Sequence, residues 1–337
     1  MCNFVLGILL CLRLANPQAF SVFSTGKYID IFLFTIFAAI VELFSVMETE
    51  QSNLIDLRKI FTAKVPKLMK HMPEWLFRRI QRLLHEADIN EILTKFGDRK
   101  GVDFINAVIA DFNLEVILKG VDNLMASDRI LVASNHPLGG LDGIALIGAV
   151  GNHRGETLTP VNDFLMFVKP LEPIFIPVNK VGSATANREE NIRLFNETFA
   201  GDATICYFPF GLCSRKTKGG KIMDLDWKKT FVTKSKAYQR DIVPVHIEGR
   251  NSNFFYNLAR LRKKLKIKVN IEMAFLVDEF FKQRNKQLTI TFGKPIPYQT
   301  FDRRFTDAQW AEKLRTFSYQ LAEDADLVFD PQKEYKI

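Results

Sequence analysis

The stretch that most constrains this chain is Arg129 to Gly143, RILVASNHPLGGLDG. Ile130 to Ala133 is short, apolar and bounded by polar residues, the pattern of a buried strand rather than a helix. Ser134, Asn135 and His136 then fall at its C-terminal edge. Pro137, Gly139 and Gly140 are poor continuations of regular structure, and Gly143 to Ile147 opens a new apolar segment of helical character. The block therefore reads as strand, loop, helix.

His136 and Asp142 sit on either side of that loop. On a continuous helix two residues six apart would stand about 120° apart around the axis and roughly 9 Å along it. Only a looped-out linker lets the carboxylate swing back to the imidazole, and the glycines supply one, with freedom for positive φ and for close approach to a ligand. A carboxylate on one ring nitrogen fixes the tautomer that leaves the other nitrogen free to accept a proton, so the pair has the makings of a general base. No serine or cysteine nucleophile is needed when the substrate brings its own hydroxyl. Taken singly, each residue has a plainer use. A histidine at a strand end is commonly a hydrogen-bonded structural residue, and an aspartate before an apolar helix is commonly an N-cap.

The combination Asn-His-Pro-x-Gly-x-x-Asp-Gly, Asn135 to Gly143, resembles the signature block of the glycerolipid and lysophospholipid acyltransferases, whose usual form is Asn-His-x4-Asp. Five residues separate His136 from Asp142, one more than usual. That spacing is similar to the branch that acylates lyso-aminolipids such as lyso-ornithine or lyso-glycine lipids. The likeness runs from roughly Ile130 to Ile296. Phe175 and Ile176 match the family's second block, but its phosphate-gripping arginine falls on Val178, with Lys180 or Arg188 as substitutes. Phe208, Pro209, Gly211 and Ser214 match the third block, Phe-Pro-Glu-Gly-Thr-Arg-Ser; its glutamate has become Phe210 and its arginine Cys213. Arg215, two places on, is left to bind an anion bidentately or to serve as a solvated loop charge. Ile242 to Ile247 resembles the fourth block, an apolar run through Pro244, in which His246 reads as structural.

The resemblance implies transfer of a fatty acyl group from a thioester, on acyl carrier protein or coenzyme A as co-substrate, to the hydroxyl of a lysolipid. It implies His136 as base, Asp142 as its orienting partner, and Asn135, Gly139, Gly140, Lys180, Phe208, Pro209, Gly211, Ser214 and Arg215 as substrate-binding positions. Backbone N–H groups of Gly139 and Gly140, or near Gly211, are candidates to hold the tetrahedral oxygen. No metal is implied, and no cofactor beyond the acyl thioester. The missing arginines and glutamate favour a lyso-aminolipid acceptor over a small phosphomonoester head, with lysophosphatidic acid kept as the alternative.

Other segments read as strands: Glu115–Leu118, Leu158–Val161, Pro173–Val178, Ala203–Phe208, Ile242–Ile247, Val269–Phe275 and Leu288–Phe292. Val102–Phe112, Arg188–Phe199 and Thr306–Ala322 read as helices. This alternation implies an α/β fold, a mixed and largely parallel sheet flanked by helices, preceded by a basic helical segment. The 337 residues, 47% of them hydrophobic, suffice for one large domain with appendages. The expected organisation is an apolar N-terminal extension or anchor over 1–46, basic amphipathic helices over 47–84, the acyltransferase-like domain over 85–325 and a tail over 326–337.

A formal charge of +8 and a pI near 9.2 suggest an anionic partner. Lipid and nucleic acid both satisfy that, and the resemblance selects a membrane lipid surface, with no nucleic acid. Asp30 and Glu42 interrupt the apolar candidate span in residues 1–46, where about 20 apolar residues would be needed to cross a bilayer. A single anchor over 28–47, a membrane-dipping hairpin and an extension ahead of a start at Met47 all remain, the last preferred. In Leu54–Leu84 cations such as Arg58, Lys59, Arg78 and Arg79 line helices that carry Phe61, Trp75 and Phe77. That suits a membrane-interface element, or equally a solvated face packed on the core. Arg260, Arg262, Lys263, Lys264, Lys266 and Lys268 crowd a second basic segment, suited to an acidic carrier protein or the membrane. Phe254, Phe255 and Tyr256 could border an acyl tunnel, though core packing is the commoner use. The expected location is the cytoplasmic face of the inner membrane, and oligomeric state stays open. Cys2, Cys11, Cys206 and Cys213 show no ligand spacing. No Gly-x-Ser-x-Gly elbow of a serine lipase is present. A non-catalytic binder of anionic membranes would explain the charge but not the histidine block.

Overall fold

The computed structural model describes residues 54–64, 66–161, 168–177, 185–217, 219–266 and 270–335. The apolar stretch over 1–46 lies outside them, as does Lys180. The chain forms two compact units, one ending at Gly97 and taking in Ser252–Phe281, the other made of Asp98–Asn251 and Lys282–Ile337.

The first unit is helical. Leu57–Lys64, Pro66–His71, Glu74–Leu83 and Glu86–Phe96 come from the N-terminal side, Asn253–Lys264 and Leu276–Phe281 from far along the chain. Leu57 and Phe61 of the first helix and Leu76, Phe77 and Ile80 of the third are buried, with Phe61 and Phe77 edge to face at 5.8 Å. Of the two readings open for these rings, a membrane interface or packing within the protein, they take the second. Trp75 remains outside, half exposed, among exposed Lys59, Arg78, Arg79 and Arg82. His85 ties the two parts of the unit together. Its ring stacks on Phe281 at 4.3 Å and its nitrogens lie 2.7 Å from Asp88 and 3.2 Å from Asp278. Phe255 and Tyr256 are core residues. Ile271–Phe275, expected within a strand, is a 3-10 helix. Met273 N–H closes a turn onto Asn270, and buried Glu272 pairs with Arg262 at 2.8 Å.

The second unit carries a seven-stranded sheet. Its strands are β1 (Glu115–Lys119), β2 (Ile130–Ser134), β3 (Thr157–Val161), β4 (Phe175–Pro177), β5 (Thr204–Tyr207), β8 (Asp241–Ile247) and β9 (Gln287–Phe292), with β6 (Arg215–Lys216) and β7 (Ile222–Met223) forming a separate small hairpin. The order is β1-β9-β8-β2-β5-β3-β4, parallel throughout except between β8 and β9. This is the mixed, largely parallel sheet expected. β2 runs between β5 and β8 and is buried on both faces, which is why it reads as an unbroken apolar run. Leu131 and Ala133 pack with Phe231, Ile242, Trp310 and Leu314; Ile130 and Val132, also fully buried, point to the other face. The helix Leu141–Arg154 lies close against Val102–Asp111. A side chain at Gly148 would come within 2.7 Å of Ile105, and one at Gly151 within 2.4 Å of Val102.

A buried guanidinium holds the N-terminal end of this sheet. Arg240 is fully buried, and burial lowers it to about 10. Nε donates to the Phe199 carbonyl at 2.9 Å, Nη1 to Ala203 at 2.8 Å and Ile130 at 3.2 Å, and Nη2 to Gly201. Each buried carbonyl that loses its donor costs about 1–3 kcal/mol. Arg240→Met is therefore expected to lower the unfolding free energy by roughly 3 kcal/mol or more, read as a drop in urea midpoint at unchanged slope.

Candidate active site

β2 ends at Ser134, and Asn135 fastens the chain as it leaves the sheet. Its side-chain amide donates to the Ile247 carbonyl at 2.9 Å and accepts from the Ile247 N–H at 2.7 Å, extending the β2–β8 pairing by one step. His136 follows, then the turn through Pro137 to Gly140, where Gly139 takes φ 79°, a conformation that favours glycine. The helix Leu141–Arg154 begins at once, with Asp142 in its first turn.

Asp142 is fully buried and accepts five hydrogen bonds. Oδ2 takes His136 Nδ1 at 3.0 Å, Leu138 N–H at 2.8 Å and Gly139 N–H at 3.4 Å; Oδ1 takes Gly140 N–H at 3.0 Å and Gly143 N–H at 2.9 Å. The helix N-terminus adds a favourable dipole. The glycine linker thus does bring carboxylate and imidazole together, and Asp142 closes the loop as well as orienting the ring.

The imidazole is 17% exposed, its ring covered by Phe208 at 4.3 Å between centroids. With Nδ1 on Asp142, Nε2 has no hydrogen-bond partner among the described residues. Burial acts against the charged imidazolium, but the charge and hydrogen bond of Asp142, with Asp224 further off, outweigh it and hold His136 above the usual histidine value. Burial likewise raises Asp142, yet His136 and the loop N–H groups bring it below the usual carboxylate value. The result is a base with one nitrogen occupied, one available, and a raised proton affinity.

A second acid, Asp224, was not singled out in the sequence. It is fully buried and accepts from the His136 backbone N–H at 3.3 Å and from Ser214 Oγ at 2.6 Å. It lies 88 positions from His136 along the chain. The signal that could have found it is an aspartate within Met223-Asp224-Leu225-Asp226-Trp227, just ahead of a tryptophan.

The expected substrate-binding residues divide. Phe208 does lie on the histidine, and Arg215 is buried, not a solvated loop charge, with Nη1 on Cys213 Sγ at 2.8 Å. Asn135 is a strand clamp. Gly139 and Gly140 aim their N–H groups at Asp142, so they do not present them to a substrate oxygen. Gly211 N–H bonds the Phe208 carbonyl at 3.0 Å, and the Pro209 carbonyl accepts Lys228 N–H at 3.0 Å; both shape the turn after β5. Ser214 faces Asp224, and its N–H donates to the His136 carbonyl at 2.8 Å. Phe210 is packed in the core with Trp227 and Phe231. Cys213 is buried, as its reading as a small packed residue requires. His246 is buried, and burial depresses it to about 4, the behaviour of a neutral structural ring.

A family model described as Acyltransferase matches residues 59–326. Two proteins named lyso-glycine lipid O-acyltransferase, from Bacteroides thetaiotaomicron and Phocaeicola vulgatus, are each 45% identical to this chain over 276 residues. The match covers 82% of this chain, and 100% and 98% of theirs respectively. The crystal structure of the 1-acyl-sn-glycerophosphate (LPA) acyltransferase PlsC from Thermotoga maritima is similar at a TM-score of 0.38 and 13% identity, over 75% of this chain and 94% of that one.

The dyad carries a pH signature. The stability that the raised His136 contributes is fully present below pH 6.5 and is lost as pH rises through its native value. That of the lowered Asp142 is present above pH 3.8 and is lost as pH falls through its native value. The pair therefore stabilises most between the two. In a histidine-selective NMR titration His136 should titrate above 6.5, and Asp142→Asn should move it downward, because burial then acts unopposed by the adjacent carboxylate.

Proposed function

Because this chain belongs to the acyltransferase family, over residues 59–326, we propose that it moves a fatty acyl group from a thioester to the hydroxyl of a lyso-aminolipid. The donor is acyl carrier protein or coenzyme A, and the acceptor class is that of lyso-glycine lipid. The observation that carries the reading is the His136–Asp142 pair, buried on the carboxylate side and open at Nε2.

The steps follow from that geometry. Nε2 removes the acceptor hydroxyl proton as the oxygen attacks the thioester carbonyl, and the imidazolium so formed is stabilised by Asp142. The tetrahedral intermediate then collapses, the carbon–sulfur bond breaks, and the proton passes from Nε2 to the departing thiolate. The products are an ester and a free thiol, and the histidine returns to its starting state. Phe208 over the ring keeps one face apolar, which lowers the local dielectric and strengthens the dyad.

Three observations support the acceptor. Phe210 fills a core position where the resemblance would place the head-group glutamate, and the relatives at 45% identity are named for lyso-glycine lipid. Buried Arg215 is a cation suited to the free carboxylate of such a head group. The helical unit supports work at a lipid surface. Across residues 54–97 and 252–281, Lys and Arg outnumber Asp and Glu by nearly two to one, and Trp75 stands outward. Among the described residues no helix is long and apolar enough to cross a membrane; the basic face of this unit is the attachment we propose, on the cytoplasmic side.

Purified protein should esterify lyso-glycine lipid in preference to lysophosphatidic acid when offered either with an acyl carrier or coenzyme A thioester. Preference for lysophosphatidic acid would reverse the acceptor reading, and transfer to neither would remove it. In vesicle sedimentation, binding should weaken as anionic lipid is withdrawn or salt is raised; indifference to both would exclude the charged unit as the attachment.

A further inference from the structure

Asp224 is a buried carboxylate that the reaction above leaves without a task. It follows the β6–β7 hairpin, and each of its polar groups is engaged. Oδ1 accepts from Ser214 Oγ at 2.6 Å and the His136 N–H at 3.3 Å, and Oδ2 accepts from the Trp227 indole N–H at 3.0 Å. Its own N–H donates to Tyr319 Oη at 2.7 Å, and its carbonyl accepts Arg315 Nη1 at 3.0 Å. Tyr319 and Arg315 both come from the helix Asp307–Gln320. Ser214 N–H donates to the His136 carbonyl. The backbone N–H and C=O of His136 are therefore both held by the Ser214–Asp224 pair, while Asp142 holds the ring.

We propose that Asp224 is a positioning residue for acyl transfer: it locks the backbone of His136 against the C-terminal helix and sets a second negative charge behind the imidazolium formed in turnover. The inference rests on the reading of His136 as the base. A scaffold role alone would be served by any group that fills the space and accepts hydrogen bonds. The donor pattern asks for more. Three donors reach the two oxygens, and each of these bonds is stronger to an ionised carboxylate than to a neutral acid or amide. Burial holds Asp224 above the usual carboxylate value, and the Ser214 and Trp227 hydrogen bonds and the charge of His136 offset only part of that. The groups facing it are His136, Ser214, Trp227, Tyr319 and Arg315; those facing the imidazole are Asp142, Asp224 and Phe208.

Asp224→Asn keeps the shape and removes the charge. It should lower kcat about 10- to 100-fold with KM for thioester and acceptor unchanged, and shift the acid limb of kcat/KM down by about one unit. Ser214→Ala keeps the charge and loosens the link. It should lower kcat with the acid limb in place, whereas a rise in KM alone would return Ser214 to substrate binding and overturn the proposal. The His136 imidazole, titrated by NMR without substrate, should move down in Asp224→Asn and stay in Ser214→Ala. A folded Asp224→Asn with wild-type kcat and an unmoved imidazole would refute the proposal. If Asp224→Asn does not fold, Ser214→Ala with wild-type kcat does so equally. Since the titration needs no turnover, failure of the acceptor reading leaves it standing.

Discussion

The structure of the site depends on a single buried carboxylate. An ion removed from water without compensation costs several kcal/mol, and Asp142 is compensated by five hydrogen bonds gathered from a span of eight residues. Four are backbone N–H groups and one is the imidazole. The donors can converge only if the chain turns back sharply after His136, which the left-handed Gly139 allows. Loop shape, helix start and histidine tautomer are thus three consequences of one electrostatic requirement.

The sheet supplies the rigidity behind it. His136 stands one residue beyond the Asn135 clamp, just past the end of a strand paired along both edges and buried on both faces. β5, on one side of that strand, leads into Phe208 over the ring and then to Ser214 beneath the His136 carbonyl. β8, on the other side, offers the Ile247 peptide to Asn135. The histidine is placed by the ends of three neighbouring parallel strands, as expected for a site at the carboxyl edge of an open α/β sheet.

Local features carried much of this in the sequence. The apolar run of β2, the glycine-broken loop and the following helix need only neighbours along the chain, and so His136 and Asp142 were legible together. Where backbone groups go was less legible. Gly139 and Gly140 suggested free N–H donors because glycine spacing reveals backbone freedom and not the acceptor that takes it up. Asn135 and Ser214 read as ligand-facing through the family resemblance alone, though their partners are Ile247 and Asp224. Asp224 itself has no spacing cue to His136, since the hairpin and C-terminal helix that seat it are set by distant packing. In the helical unit, periodicity found the buried stripe of Phe61 and Phe77 but could not say that other helices would cover it. Val269–Phe275 reads as a strand because nothing in the segment itself marks the partner of Glu272, Arg262, which stands ten residues back on another helix.

The central claim is that one imidazole moves the proton in acyl transfer. The measurement that tests it most directly is single-turnover transfer from a labelled thioester by His136→Ala, with near-UV circular dichroism confirming the fold. The account requires a loss of about a thousandfold or more in rate with the dichroism unchanged. Transfer at the wild-type rate by the folded variant would contradict it.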